Sequence, residues 1–305
     1  MAKTTNKTMM GILFIAFCFL LVFILISAKT IKSLNTSSTT WTKNEKKPIG
    51  VVEIEGVILD SKKTVELLLK AEEDKNIKAI LVRINSPGGA VGPSQEIYEE
   101  IRRINEEKPV YASFGSVAAS GGYYIGAAAR KIFSNPGTLT GSIGVIMQFV
   151  NLEKMFEFLK MDPETLKAGR YKDIGSSERK MNPEEKQILQ GMLDGVHKQF
   201  ISDVLKTRKD RIKGDFNLHA QGQIFSGKEA HRLGLVDELL GLHQAGRKIH
   251  DELKLEGKFG LKYFKTPKKL SLENIFEELE GRLLGLGRSA ASQNFPLLMF
   301  LTKGL

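Results

Sequence analysis

The chain has 305 residues, enough for a sizeable core and more than one folded unit. Apolar residues make up 42% and charged residues 26%, which excludes wholesale disorder, and a single cysteine excludes an intrachain disulfide and a thiolate zinc cluster. The net charge of +10 is spread along the chain without a nucleic-acid motif, so it reads as a basic surface facing lipid headgroups and not as a nucleic-acid footprint.

Residues 1–8 are a short polar N-terminus, and residues 9–27 carry no charge. As a helix, 9–27 would reach about 28 Å, close to the hydrocarbon thickness of a bilayer. A secretory signal has a shorter apolar core and a small-residue cleavage site, which Ile26-Ser27-Ala28 matches poorly. The expectation is therefore one uncleaved transmembrane helix. Lys3 and Lys7 before it nearly balance Lys29 and Lys32 after it. The short leading segment still favours a cytoplasmic N-terminus, with the rest of the chain outside the cytoplasmic membrane. Cys18 follows Phe17 and sits mid-span, so it reads as an apolar membrane residue and not as a lipid-attachment site.

A Ser/Thr/Lys-rich linker occupies 28–47. From there the spacing predicts a strand at 49–59, a helix at 64–73, a strand at 79–84, a helix at 92–107 and a strand at 109–114. A helix at 120–130, a strand at 131–134 and a long helix at 182–209 with Pro183 in its first turn follow. The segment 226–237 reads as a short capped helix and then a strand. Strands alternating with helices indicate an α/β fold with a largely parallel sheet over 48–265. The tail, 266–305, is amphipathic and then apolar at 295–301.

Three segments carry chemistry. Gly-Ser-Val-Ala-Ala-Ser-Gly-Gly-Tyr-Tyr-Ile-Gly (115–126) places Ser120 between a strand and a helix start. There a hydroxyl gains from backbone N–H donors as a nucleophile, although an N-cap serine has the same appearance. In Asn-Ser-Pro-Gly-Gly (85–89), consecutive glycines let amides turn towards a ligand, as an oxyanion hole requires; an ordinary strand-to-helix turn reads the same way. In Lys-Ala-Gly-Arg-Tyr-Lys-Asp-Ile-Gly-Ser-Ser (167–177), a lysine could serve as base if burial disfavours its charge, and a surface lysine is the plainer reading. No histidine stands between Ser120 and His197; His197, His219, His231, His243 and His250 read as surface or packing residues.

Together, Ser-Pro-Gly-Gly (86–89), Ala-Ser-Gly-Gly-Tyr-Tyr (119–124), Gly-Ser-Ile-Gly-Val (141–145) and Lys-Ala-Gly-Arg-Tyr-Lys-Asp-Ile-Gly-Ser (167–176), in that order, resemble the signal peptide peptidases of the bacterial SppA type. The resemblance covers about 49–245, with the tail the least recognisable part. It implies a membrane-anchored serine–lysine endopeptidase that degrades residual signal peptides. Ser120 would be the nucleophile, Lys172 the general base and Ser142 the serine that orients that base. Gly88, Gly89 and Gly121 would supply the oxyanion hole. The implied fold is that of the Clp protease and crotonase superfamily, an α/β fold of stacked ββα units, and Ala-His-Arg-Leu-Gly-Leu-Val-Asp (230–237) also resembles a stretch common there. The family implies no cofactor or metal, and assembly into a homo-oligomeric ring. Two alternatives remain at this stage: an acyl-coenzyme A enzyme of the crotonase type, and a catalytically dead membrane scaffold of the same fold.

Overall fold

A computed structural model describes residues 47–265 and the backbone of 299–301. The expected anchor at 9–27 and most of the tail at 266–305 lie outside the described residues, and among those described no helix is long and apolar enough to cross a membrane.

The β-branched run after residue 48 forms β1 (Ile49–Glu55), followed by α1 (Lys62–Glu73) and β2 (Ala79–Ser86). A short strand β3 (Gly88–Ala90), the helix α2 (Val91–Glu107), β4 (Val110–Ala119) and α3 (Gly121–Ala127) come next. β5 (Ile132–Phe133), β6 (Leu139–Gly141), α4 (Glu153–Phe158) and the long α5 (Pro183–Arg208) lead to α6 (Phe216–His219) and β7 (Ile224–Ser226). The described residues close with α7 (Gly227–Leu233), α8 (Leu242–Glu252), β8 (Leu261–Phe264) and β9 (Met299–Leu301).

Seven strands form one sheet in the order β7-β6-β4-β2-β1-β8, with β5 also paired to β4. Within this sheet every pairing is parallel except β6 with β7, the arrangement that strand–helix alternation predicts, while β3 and β9 pair antiparallel apart from it. Side chains alternate across the sheet, so both faces are buried. Val52, Ile54, Ile80, Val82 and Ile84 pack with Leu68, Ile97, Ile101, Tyr124 and Phe200 on one face. Ile49, Val51, Leu81 and Tyr111 pack with Ala245 and Ile249 on the other.

Three differences from the sequence expectation bear on the site. β4 does not stop at residue 114 but runs to Ala119, directly into Ser120. Asn85 holds this extension: its side-chain oxygen accepts from the amides of Ser116 (3.0 Å) and Val117 (3.2 Å), where the β2–β4 register shifts. Second, Gly88–Ala90 is a strand, paired on one side with Ile58. Third, the strand expected after α7 is absent: only an isolated bridge joins Glu238 to Phe133. Gly234 ends α7 in the left-handed region, and the Asp237 carboxylate then turns back to accept from the Ile132 amide (2.7 Å) and the buried Arg208 (3.1 Å). α5 begins as its sequence predicts, with Asn182 and Glu185 forming a reciprocal capping box around Pro183.

Candidate active site

The elbow after β4 places Ser120 at the N-terminus of α3. Its backbone sits at φ 53°, ψ −116°, a region that side-chain-bearing residues rarely occupy. Such strain, of order 1–3 kcal/mol, persists where the surroundings impose it and concentrates at functional sites. Here the surroundings are the Ser120 amide bonded to Gly141 O (2.8 Å) and the Tyr124 amide bonded to Ser120 O (2.8 Å). Ser120 is fully buried, and its Oγ has no hydrogen-bond partner among the described residues. A buried polar atom without a partner is costly and calls for an explanation. None of the histidines reaches it.

The other sequence candidates divide into two groups. Ser142 stands beside Ser120, because Ala119 pairs with Gly141 across β4 and β6. It too has positive φ, 50°, is buried, and its amide donates to Gln223 O (2.6 Å). Gly121 is the first residue of α3, so its amide belongs to the set that has no acceptor within the helix. Gly88 has φ 111°, which only glycine adopts freely, and its amide donates to Ser86 Oγ (3.1 Å). At Gly89 a Cβ would fall 2.0 Å from Ile58 O, so the close pass of Ile58 excludes any side chain.

Lys172 is the member that the single chain does not bring to Ser120. It lies exposed in a run of turns after Gly169, and no described residue, Lys172 included, stands within bonding reach of Ser120 Oγ. The burial expected of a neutral lysine base is not met among the described residues. The loop that carries it is nonetheless tied down. Asp173 accepts from Lys167 and from Arg179 (2.9 Å), and Arg179 also pairs with Glu185 (2.9 Å). The Arg179 guanidinium, then Lys167, hold the Asp173 carboxyl well below the usual carboxylate range. Arg179, with the Asn182 amide, lowers Glu185 to about 2.

Other residues support the site without having been singled out from sequence. Tyr124, four residues after the nucleophile, donates to the buried Asp203 of α5, and Tyr98 donates to Asp203 O (2.8 Å). Burial first, then the Asp203 bond, pushes the Tyr124 hydroxyl far up. Tyr123 donates to Leu235 O (3.1 Å), and burial pushes it up to about 12. Both tyrosines therefore act as neutral donors that pin α3. Thr140 Oγ1 caps Ala118 O (2.6 Å) next to the elbow. The doublet Tyr-Tyr after Gly-Gly was the available signal for the α3 anchors; Asp203, far along the chain, gave none. A cleft of about 570 Å³ opens beside Ser142, lined among others by Val145, Met147, His197 and Ile224. His197 is tied to Ala220 O (2.7 Å).

The arrangement provides a buried oxygen, a helix-terminal amide beside it and a glycine strand: the parts of an acyl-transfer site. Comparison with known proteins agrees. The model of peptidase family S49 matches residues 102–256, and the model of the Clp proteases matches 53–139. A Synechocystis protein described as a protease is 44% identical over 195 residues, covering 64% of this chain and 70% of its own length. The chloroplastic serine protease SPPA of Arabidopsis thaliana is 32% identical over 243 residues, 79% of this chain but 36% of that protein. An Enterococcus faecium protein named for signal peptide peptidase SppA is 39% identical over 173 residues, 56% of this chain and 50% of that protein. With a parallel-rich α/β sheet and a strained serine at the head of α3, these matches establish that the chain belongs to peptidase family S49, the SppA family of serine proteases.

Proposed function

We propose that this chain is a membrane-anchored endopeptidase in which Ser120 attacks the peptide carbonyl and Lys172, donated by a neighbouring copy, is the base. The observation that carries this reading is the pair of complementary gaps. Among the described residues Ser120 Oγ is buried and unpartnered, while Lys172 is exposed on a braced loop. A second copy that delivered Lys172 over Ser120 would fill one gap and bury the other. Burial disfavours the ammonium and leaves a neutral amine able to accept a proton. The segment before that loop exposes Val150, Met155, Phe158, Leu159, Met161 and Leu166, apolar surface of the kind that marks an interface between chains. Assembly into a ring follows, since each copy both gives and receives a lysine in a head-to-tail contact.

In this mechanism the Ser120 hydroxyl proton passes to the Lys172 Nζ as Oγ bonds to the scissile carbonyl carbon. The Gly121 amide stabilises the oxyanion, and the Gly88 amide joins it by exchanging Ser86 Oγ for the charged oxygen. The lysine ammonium then protonates the leaving amine, and a water deprotonated by the same lysine releases the acyl group from Ser120. Ser142 orients the amine. The substrates are apolar fragments of signal peptides left after export, met at high effective concentration by a domain tethered through 9–27 on the outer face of the cytoplasmic membrane. An acyl-coenzyme A enzyme or an inert scaffold has no use for a strained, unpartnered buried hydroxyl. The test is complementation. Ser120→Ala and Lys172→Ala chains are each expected to be inactive, and co-assembly is expected to restore about a quarter of the sites, as random mixing of donor and acceptor copies dictates. Labelling of Ser120 by a serine-reactive phosphonate is the parallel readout. No recovery on mixing, with labelling retained in Lys172→Ala, would refute the shared dyad.

A further inference from the structure

The charges around Lys172 are distributed in a way that the catalytic reading does not require. Of the cations between residues 167 and 180, Lys167 pairs with Asp173 and Arg170 with Glu184 (2.6 Å). Arg179 pairs with Asp173 (2.9 Å) and Glu185 (2.5 Å), and Lys180 with Glu153 (3.9 Å). Lys172 alone among them has no acid partner among the described residues, although Asp173 is its neighbour in sequence. The residues on either side of it are the ones held. Tyr171 donates to Glu184, and the Arg170 guanidinium lies over the Tyr171 ring (5.3 Å to its centroid) as it reaches the same carboxylate. Asp173 is clamped by Lys167 and Arg179, and the Arg179 fork passes that hold on to Glu185. Glu184 and Glu185 stand in the first turn of α5, where a carboxylate is favoured, and Glu185 is buried and accepts from the Asn182 amide (2.9 Å). Through Asp203 and Tyr124, the same helix also holds α3, which Ser120 precedes. Exposed ion pairs add little to stability one by one, so their concentration around a single lysine calls for another use.

We infer that Glu184 and Glu185, acting through Tyr171 and Arg179, are positioning residues for Lys172. They fix the backbone on both sides of it and keep the carboxylates of its loop engaged, so that its amine is presented unpaired to the Ser120 it serves. The inference rests on the reading of Lys172 as the base, and it adds how that base is held. A base must come within about 2.6–3.2 Å of the proton it takes. Misplacement by about 1 Å costs on the order of 100-fold in rate.

The experiment uses the full chain with two single substitutions. Tyr171→Phe removes one hydroxyl from an exposed hydrogen bond, and Arg179→Lys keeps the charge but cannot fork across Asp173 and Glu185. For each variant, kcat for a short fluorogenic apolar peptide is expected to fall about 10–100-fold with KM unchanged. Phosphonate labelling of Ser120 should slow by the same factor and still reach the parent's final stoichiometry. In a Lys172→Ala chain, already slow, Tyr171→Phe should change the labelling rate no further, since it acts only through the lysine. An unchanged rate in either variant would overturn the proposal. So would a smaller labelled fraction at an unchanged rate, the mark of a purely structural role, or a Tyr171→Phe effect that persists in Lys172→Ala. A Lys172→Ala chain that labels Ser120 at the parent's rate would instead overturn the reading of Lys172 as the base.

Discussion

Ser120 makes a prediction in which stability and activity move in opposite directions. Replacing it by alanine or by glycine removes Oγ in both cases, so the difference between the two variants reports the backbone alone. Alanine keeps a Cβ at φ 53°, ψ −116°; glycine does not. Relief of that strain is worth of order 1–3 kcal/mol. Against this, glycine loses about 0.5–1 kcal/mol more conformational entropy on folding than alanine does. The balance favours Ser120→Gly by about 1 kcal/mol, which for a folded unit of this size is roughly 2–4 °C in Tm. The assay is thermal unfolding of both variants under identical conditions, alongside peptide hydrolysis. Both variants are expected to be inactive, with the glycine variant melting higher. A glycine variant that melts below the alanine variant would show that the elbow is relaxed, and would remove the argument that strain marks the nucleophile.

Other outcomes follow from the same geometry. Lys172→Arg keeps the positive charge but cannot accept a proton, so kcat/KM is expected to fall about 10²–10⁴-fold. Lys167→Arg preserves the pair with Asp173 and should stay within a few-fold of wild type; the reverse pattern would reassign the base. Ser142→Ala should lower the rate without abolishing it, and unchanged kinetics would reduce Ser142 to a turn residue. Tyr124→Phe deprives the buried Asp203 of a donor and is expected to cost about 2 kcal/mol in denaturant unfolding, since Lys206 (2.7 Å) remains to pair the carboxylate. Asp173 and Glu185 have depressed folded-state values, so their contribution is complete above the ordinary carboxylate range of about 4 and is lost as pH falls towards 2. Proteolytic nicking of the 167–180 loop should therefore rise below pH 4 in the parent chain, and Asp173→Asn should show it already at neutral pH.

Much of the architecture was legible from local pattern. Continuous β-branched and apolar runs marked β1 and β2, which are buried on both faces, and the 3.6-residue spacing of Ile97, Ile101 and Ile104 marked α2, which is buried on one, because both patterns belong to neighbours in sequence. Asn182-Pro183 marked the start of α5, because a cap is satisfied within one turn. Local chemistry drew attention to Ser120, to the glycines of 85–89 and to the lysines of 167–177, each with a plainer reading beside it, and only the resemblance to the SppA-type peptidases picked out Ser142 and Lys172. What sequence could not carry is everything that depends on groups distant along the chain. β4 was read five residues short, because its end is held by Asn85 and not by its own side chains. The strand character of Gly88–Ala90 comes from Ile58 and β9, and two glycines in a row predict a turn. The expected strand after α7 gave way to a turn because Asp237 finds Arg208 and the Ile132 amide, partners far away in sequence. The strain at Ser120 and Ser142 is set by the junction of β4 with β6, and composition contains no term for it. The exposure of Lys172, too, is a tertiary fact: periodicity can say that a lysine is present, but only the folded chain decides how far it stands from Ser120.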